Sequence, residues 1–360
     1  MKTTPASCTS SDSASANLRE VEKLLPSTRY VGSKRKLVGW IWQHIGHLGF
    51  DNFLEIFGGT GSLSYYAKMR GKEVTYNDFL KFNYYSGLAL IENSVKKLSE
   101  DEIQSIVTRH QGRTYPDFIE RNFSGLYFTD IENRWLDMAL TNIRFLQDPY
   151  EQALAMHALF QSCTMKRPYN LFHRANLYMR LANVKRGFGN LVSWNTDFES
   201  VFRRFTDEAN EHVFSNGRNN KALNMNAMDL EGDFDLVYID SPYMSAAGAI
   251  DYREYYHFLE GMSRYDEWKT LIDYDTKRKT LKADYSMWLD KPHIERAFDH
   301  LFDKFRNSSL VVSYKTGGIP SSISLKRLLR NYKSNVTLHK RYYRYALAKT
   351  AGWELLFVAR

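Results

Sequence analysis

Two short strings in this 360-residue chain end in residues that could do chemistry. In the first, Phe53-Leu54-Glu55-Ile56-Phe57 runs straight into Gly58-Gly59-Thr60-Gly61. An apolar β-like run that stops in glycines allows a tight turn and lets a ligand approach the backbone. In the second, Leu236-Val237-Tyr238-Ile239 delivers Asp240, Ser241, Pro242 and Tyr243 at a strand end. A carboxylate, a stiff proline turn and an aromatic ring together suit a planar base that carries an amine. The pair suggests a nucleotide-like cofactor beside a nucleobase.

Elements able to deliver these groups are legible on either side. Leu37, Ile41, Trp42, Ile45 and Leu48 recur at helical spacing, predicting an amphipathic helix that ends near Gly49. A strand over 53–57 follows, then the glycine turn, a helix through Tyr65 and Tyr66 to Met69, and a strand over 73–77 that stops at Asp78. That order makes a βαβ unit. An acid at the end of its second strand suits the hydroxyls of a ribose. From about Phe79 to Asn219 the pattern turns helical, broken by polar and basic segments. Strand character returns at 222–226, 234–239 and 309–314, and 336–345 with 353–359 reads as an antiparallel pair.

A formal charge of +8 and a pI near 9.1 favour a polyanionic partner. Cys8 and Cys163 are the only cysteines, and no Cys/His cluster has zinc spacing, so neither a disulfide framework nor a structural metal is expected. The first ~26 residues are rich in Ser, Thr and Ala, lack the apolar core of a signal peptide and read as a disordered tail. No stretch reaches the ~20 apolar residues of a membrane span.

A third string, Arg29-Tyr30-Val31-Gly32-Ser33-Lys34-Arg35-Lys36-Leu37, precedes the other two. In this order the three resemble the D12 class, the Dam-like group, of N6-adenine-specific DNA methyltransferases, whose last motif reads Asp-Pro-Pro-Tyr. The resemblance extends from about Thr28 to the C-terminus. It implies an α/β fold: a Rossmann-like methyltransferase core with a mixed seven-stranded sheet. It also implies S-adenosyl-L-methionine as cofactor, double-stranded DNA as substrate and a cytoplasmic, nucleoid-associated enzyme. A restriction endonuclease acting on the same site would be its protein partner. The organisation expected is a tail over 1–26, a catalytic core from 27–84 and 220–360, and a mainly helical target-recognition lobe over 85–219. Ser241 departs from the pattern, standing where the family has its first proline, and the turn is less rigid for it.

On this resemblance Tyr30, Gly32, Ser33 and Lys34 contact the cofactor, the lysine as charge partner of its carboxylate. Glu55, Phe57, Gly58, Gly59 and Gly61 flank its methionine and ribose portions, Asp78 takes the ribose hydroxyls, and Asn226 or Asp229 takes the adenine amine. The glycine spacing differs from Gly-x-Gly-x-x-Gly, which argues against a nicotinamide or flavin. Catalysis follows from the amine of the target adenine, whose lone pair is delocalised into the ring. If the Asp240 carboxylate and the Ser241 main-chain carbonyl accept its two N–H bonds, the nitrogen is drawn toward tetrahedral geometry. Pro242 fixes the turn and Tyr243 stacks on the base.

A base inside a duplex must be flipped out, at a cost of a few kcal/mol that DNA contacts elsewhere must offset. The segment from Met165 mixes cations, amides and aromatics: Lys166, Arg167, Asn170, His173, Arg174 and Asn176, continuing through Arg180, Lys185 and Arg186. These are the expected DNA contacts, with Arg341 to Tyr345 a second candidate surface. Two other readings stand beside this one: a methyltransferase for the N4 amine of cytosine, and a DNA-binding protein that kept the fold but lost transfer. Asp at the first catalytic position is typical of the adenine group.

Overall fold

The computed structural model describes residues 20–182, 191–344 and 351–360. Its strands are β1 (Asn52–Glu55), β2 (Glu73–Asn77), β3 (Lys221–Leu223), β4 (Leu236–Ile239), β5 (Ser309–Lys315), β6 (Val336–Tyr343) and β7 (Gly352–Ala359). They form one seven-stranded sheet in the order β3-β2-β1-β4-β5-β7-β6. The first five strands in that order run parallel, and β7 runs antiparallel between β5 and β6. This is the mixed sheet expected. From β1 the chain moves outward to β2 and later returns to lay β4 on the other side. The crevice at the carboxyl ends of β1 and β4 is therefore a topological switch point, where open α/β sheets bind ligands.

Each face of the sheet has its own core, and the strand alternation explains why. Phe53, Tyr238, Val311 and Leu356 point into one apolar cluster. Leu54, Val237, Ile239, Leu310, Val312 and Phe357 point into the other, closed by the helices Ile294–Lys304 and Ser322–Arg330. All four residues of β4 are buried, as a central parallel strand covered on both faces requires.

Between β2 and β3 the described chain is helical, as its pattern predicts. The helices Asp130–Ile143, Pro149–Met165 and Phe198–Glu211 start at Thr129, Asp148 and Asp197, whose side chains accept backbone N–H groups; Thr129 and Glu132 form a reciprocal capping box. Among the described residues this lobe has no separate core. One continuous cluster joins Phe53 and Tyr238 of the sheet to Leu136, Leu159 and Phe202 of the lobe. The segment after β4 contributes as well. Phe258 and Trp268 pack on Phe123, and Phe258 stacks on Phe172 with ring centres 5.1 Å apart. The apolar surface of the lobe is thus shared with residues beyond 220.

The tail expected to run through residue 26 is packed at its end. Val21 and Leu25 are buried, and the Arg35 guanidinium donates to the carbonyls of Glu22, Leu25 and Pro26. Two apolar side chains and a lysine-rich motif's arginine hold this stretch. Residues 1–19 lie outside the described residues.

Candidate active site

The glycine loop owes its composition to two different constraints. A Cβ at Gly58 would lie 2.0 Å from the ring of Tyr76, so packing alone demands glycine there. The Tyr76 hydroxyl donates to the Gly59 carbonyl at 2.7 Å, which ties the turn to β2. Gly59 (φ +52) and Gly61 (φ +64) adopt left-handed backbone that other residues resist. A Cβ on Gly59 would touch only Tyr30, at 3.5 Å, leaving that backbone open to a ligand.

Asp78 follows β2 and accepts the N–H groups of Gly59 and Leu80, each at 2.8 Å. Burial pushes its pKa up to about 6 against the pull of those hydrogen bonds. Glu55 ends β1 fully buried and accepts both the N–H and the hydroxyl of Ser64. Burial raises it to about 8, so it is largely protonated at neutral pH.

The N-terminal motif folds over this loop. Ser33 Oγ lies 3.1 Å from Thr60 Oγ1, and Tyr30 is stacked between Tyr256 and Tyr252, with ring centres 4.6 and 5.4 Å away. Gly32 (φ +87) leaves room for the Tyr252 hydroxyl, which a Cβ would meet at 2.5 Å. Lys34 points inward. Its ammonium lies 2.7 Å from Asp240 Oδ2 and 3.7 Å from Glu354 Oε1. Burial works against its charge, but the two carboxylates outweigh it and hold the pKa above the ordinary lysine value. Asp240 is raised by burial and drawn back by Lys34. The Tyr243 hydroxyl donates to Glu354 at 2.8 Å.

These groups line one cavity of about 460 Å³, within the range of small-molecule sites. It brings together Tyr30, Gly32, Ser33, Lys34, Glu55, Phe57, Gly58, Gly59, Asp78, Asn226, Asp240, Ser241, Pro242 and Tyr243. Gly61 is set back against Tyr76 as the N-cap residue of the helix Ser62–Met69. Of the two candidates for the adenine amine, Asn226 lines the cavity; Asp229 is exposed and outside it. Ser241 is buried, and its hydroxyl has no hydrogen-bond partner.

Sequence reasoning missed several lining residues. Phe79, half exposed directly after Asp78, offers an aromatic face, and a large apolar ring beside a strand-end acid was a usable signal. Tyr252, Trp288 and Lys315 come from distant segments and carried no motif. Glu354, which holds Tyr243 without lining the cavity, was equally silent.

The expected DNA contacts divide sharply. Lys166, Arg167, Asn176 and Arg180 are corrected from DNA contacts to structural residues. Lys166 and Arg180 both pair with Glu132 inside the lobe, and their side chains are 1% and 5% exposed. Arg167 is buried, donating to the carbonyls of Leu171, Tyr127 and Arg174 and to Asn176 Oδ1, with Asn176 buried beside it. Cations buried against protein acceptors in this way are not presented to a phosphate. Arg174 is exposed, His173 packs against Tyr255 at the cavity wall with ring centres 5.1 Å apart, and Asn170 is half-buried in left-handed backbone (φ +58). Lys185, Arg186 and Tyr345 lie outside the described residues. Among the described residues no group of three or more His, Cys, Asp or Glu could hold a metal ion, and no helix is long and apolar enough to cross a membrane.

The strand order, the glycine loop after β1 and the acid after β2 define the S-adenosylmethionine-dependent methyltransferase class. Within it, residues 30–315 match the D12 class N6 adenine-specific DNA methyltransferases, and the chain belongs to that family. It is 26% identical over 345 residues to the type II methyltransferase M2.HphI of Haemophilus parahaemolyticus, an alignment covering 92% of this chain and 97% of that protein. It is also 26% identical to the modification methylase StsI of Streptococcus sanguinis and to the type II methyltransferase M.FokI of Planomicrobium okeanokoites, covering 51% and 47% of their lengths. The protein is a site-specific, adenine-specific DNA methyltransferase that uses S-adenosylmethionine.

Proposed function

We propose that Asp240 and the Ser241 main-chain carbonyl accept the two N–H bonds of a flipped adenine, and that Gly59, Asp78, Asn226 and Phe79 hold the cofactor. One observation carries this reading: a single cavity joins the open backbone at Gly59 and the carboxylate of Asp78 to the carboxylate of Asp240. The donor set suits the group. Asp78 can accept hydroxyl hydrogen bonds, Phe79 can stack on a purine, and the Gly59 backbone leaves room for a close approach.

When bound, S-adenosylmethionine supplies an electrophilic methyl group on a sulfonium. The chain supplies orientation and charge. Asp240, drawn toward its ionised form by Lys34, accepts one N–H of the amine and stabilises the positive charge that grows on the nitrogen. Tyr243, fixed through its hydroxyl, offers its ring to the base. Arg174, His173 and Asn170 are the recognition residues this reading retains, because they stay at least partly accessible and His173 packs on Tyr255 of the cavity wall. We further infer base flipping, a cytoplasmic site of action on chromosomal DNA, and a cognate endonuclease; the type II names of the relatives support the last.

The test is transfer from methyl-tritiated cofactor to genomic DNA, followed by digestion to nucleosides. Label in N6-methyldeoxyadenosine from the intact protein, and none from Asp240→Ala, is expected. Label in N4-methyldeoxycytidine would favour the cytosine reading. No label with DNA binding intact would mean a protein that kept the fold and lost transfer.

A further inference from the structure

Glu354 stands in the one strand where a carboxylate is least expected. β7 reads Gly352-Trp353-Glu354-Leu355-Leu356-Phe357-Val358-Ala359, lies between β5 and β6, and is buried from Glu354 onward. Glu354 itself is 0% exposed. Its position is set by register: it pairs with Lys315 of β5 and with Arg341 of β6. Because β7 is antiparallel to β5, this places it at the carboxyl edge of the parallel strands, where the cavity lies.

There it meets two groups of the proposed site. Oε1 accepts the Tyr243 hydroxyl at 2.8 Å and lies 3.7 Å from the Lys34 ammonium, which itself bonds Asp240 at 2.7 Å. The lysine nitrogen also sits 4.9 Å from the centre of the Tyr243 ring. Lys34, Asp240, Tyr243 and Glu354 thus form one cluster. Burying three ionisable side chains together does not in general stabilise a fold, since apolar residues of similar volume do as well or better. The cluster needs another reason to exist.

We propose that Glu354 is a positioning residue for methyl transfer, acting through Tyr243 and Lys34. It anchors the tyrosine hydroxyl so that the ring keeps one orientation for the base. It also gives Lys34 a second carboxylate, which holds the ammonium where it can compensate Asp240. The proposal rests on the roles assigned above to Asp240 and Tyr243. Loss of transfer in Asp240→Ala tests those roles separately.

The experiment is a double-mutant cycle between Glu354→Ala and Tyr243→Phe, scored as single-turnover transfer to DNA per cofactor-binding site. Counting sites by cofactor titration removes any fraction that fails to fold. Each single variant is expected to lose about 10–100-fold in rate, the range for a hydrogen bond to a charged group. The double variant is expected to be no slower than the slower single, because both remove the same contact. Cofactor affinity is expected to hold in all three. Glu354→Gln, which keeps an acceptor for Tyr243 but not the charge beside Lys34, is expected to recover part of the loss; Glu354→Leu, apolar and of similar volume, takes the place of Glu354→Ala in the cycle should the alanine variant not fold. Glu354→Ala, or Glu354→Leu in its place, within about twofold of wild type, or losses that multiply in the double variant, would overturn the proposal. Should Asp240→Ala also transfer normally, the underlying site assignment fails with it.

Discussion

The ammonium of Lys34 lies 2.7 Å from the carboxylate of Asp240, inside the cavity and shielded from water, with side chains 8% and 14% exposed. The lysine expected to meet the cofactor's carboxylate lines the cavity and bonds the acid proposed for catalysis. Burial raises the pKa of Asp240 and Lys34 lowers it, so removing the lysine must push it higher still. On the proposed mechanism transfer requires the ionised acid. Lys34→Ala is therefore expected to move the acid limb of the kcat–pH profile to higher pH, with cofactor affinity little changed. An unmoved acid limb together with weakened cofactor binding would return Lys34 to the cofactor.

Glu55 should make stability depend on pH. Its folded pKa, about 8, lies above the ordinary glutamate value of 4.5 because the group is buried. A raised carboxyl contributes stability that is complete below the unfolded pKa and is lost as pH rises through the folded one. Melting temperature should fall between about pH 5 and 8 in part because of this one group. Glu55→Gln keeps an acceptor for Ser64 and cannot ionise, so a shallower decline over that window is expected from thermal denaturation at several pH values. An identical decline in both proteins would remove Glu55 from the account.

Ser241 separates a main-chain role from a side-chain role. Its hydroxyl is buried without a partner, a condition that costs about 1–3 kcal/mol. Ser241→Ala removes that cost and keeps the main-chain carbonyl. A higher melting temperature is expected, with transfer retained to within about tenfold. A larger loss of transfer would assign the hydroxyl a part in holding the base.

Arg167 and Arg174 should respond in opposite ways. Arg167→Ala removes a buried guanidinium that serves four neutral acceptors, and a loss of about 1–3 kcal/mol for each acceptor left unsatisfied is expected from denaturant titration. Arg174→Ala removes an exposed cation. It should leave stability alone and weaken DNA binding or relax the methylated sequence, by about 1–3 kcal/mol if a bidentate base contact is lost. Methylation-sensitive sequencing reads the latter directly, and a stable, fully specific Arg174→Ala would move recognition elsewhere.

Adjacent glycines make a similar pair. Gly58→Ala forces a Cβ to within 2.0 Å of the Tyr76 ring and should destabilise the fold. Gly59→Val meets only Tyr30 but fills the open backbone and strains a positive φ, so cofactor affinity should fall more than stability. Calorimetric titration beside thermal melts distinguishes them; equal effects on both quantities would mean the loop has one role, not two.

By itself the sequence determined the βαβ unit, the helical character between β2 and β3, and the strand ends that deliver Gly59, Asp78 and Asp240. Those are local properties: alternation, glycine at a turn and an acid after a strand are written within a few residues of one another. The expected DNA segment shows the limit of such reading. Its residue types were right for nucleic acid, yet Lys166 and Arg180 close on Glu132, and Arg167 closes on Asn176. Residue type states what a side chain can bond, and only its folded surroundings decide whether a partner has already been found. Glu354 is the converse: a single acid in an apolar strand, silent in the sequence, brought to Tyr243 and Lys34 because β7 runs antiparallel beside β5. The tertiary structure alone decided that pairing, because strand order and register set which distant side chains share a buried space.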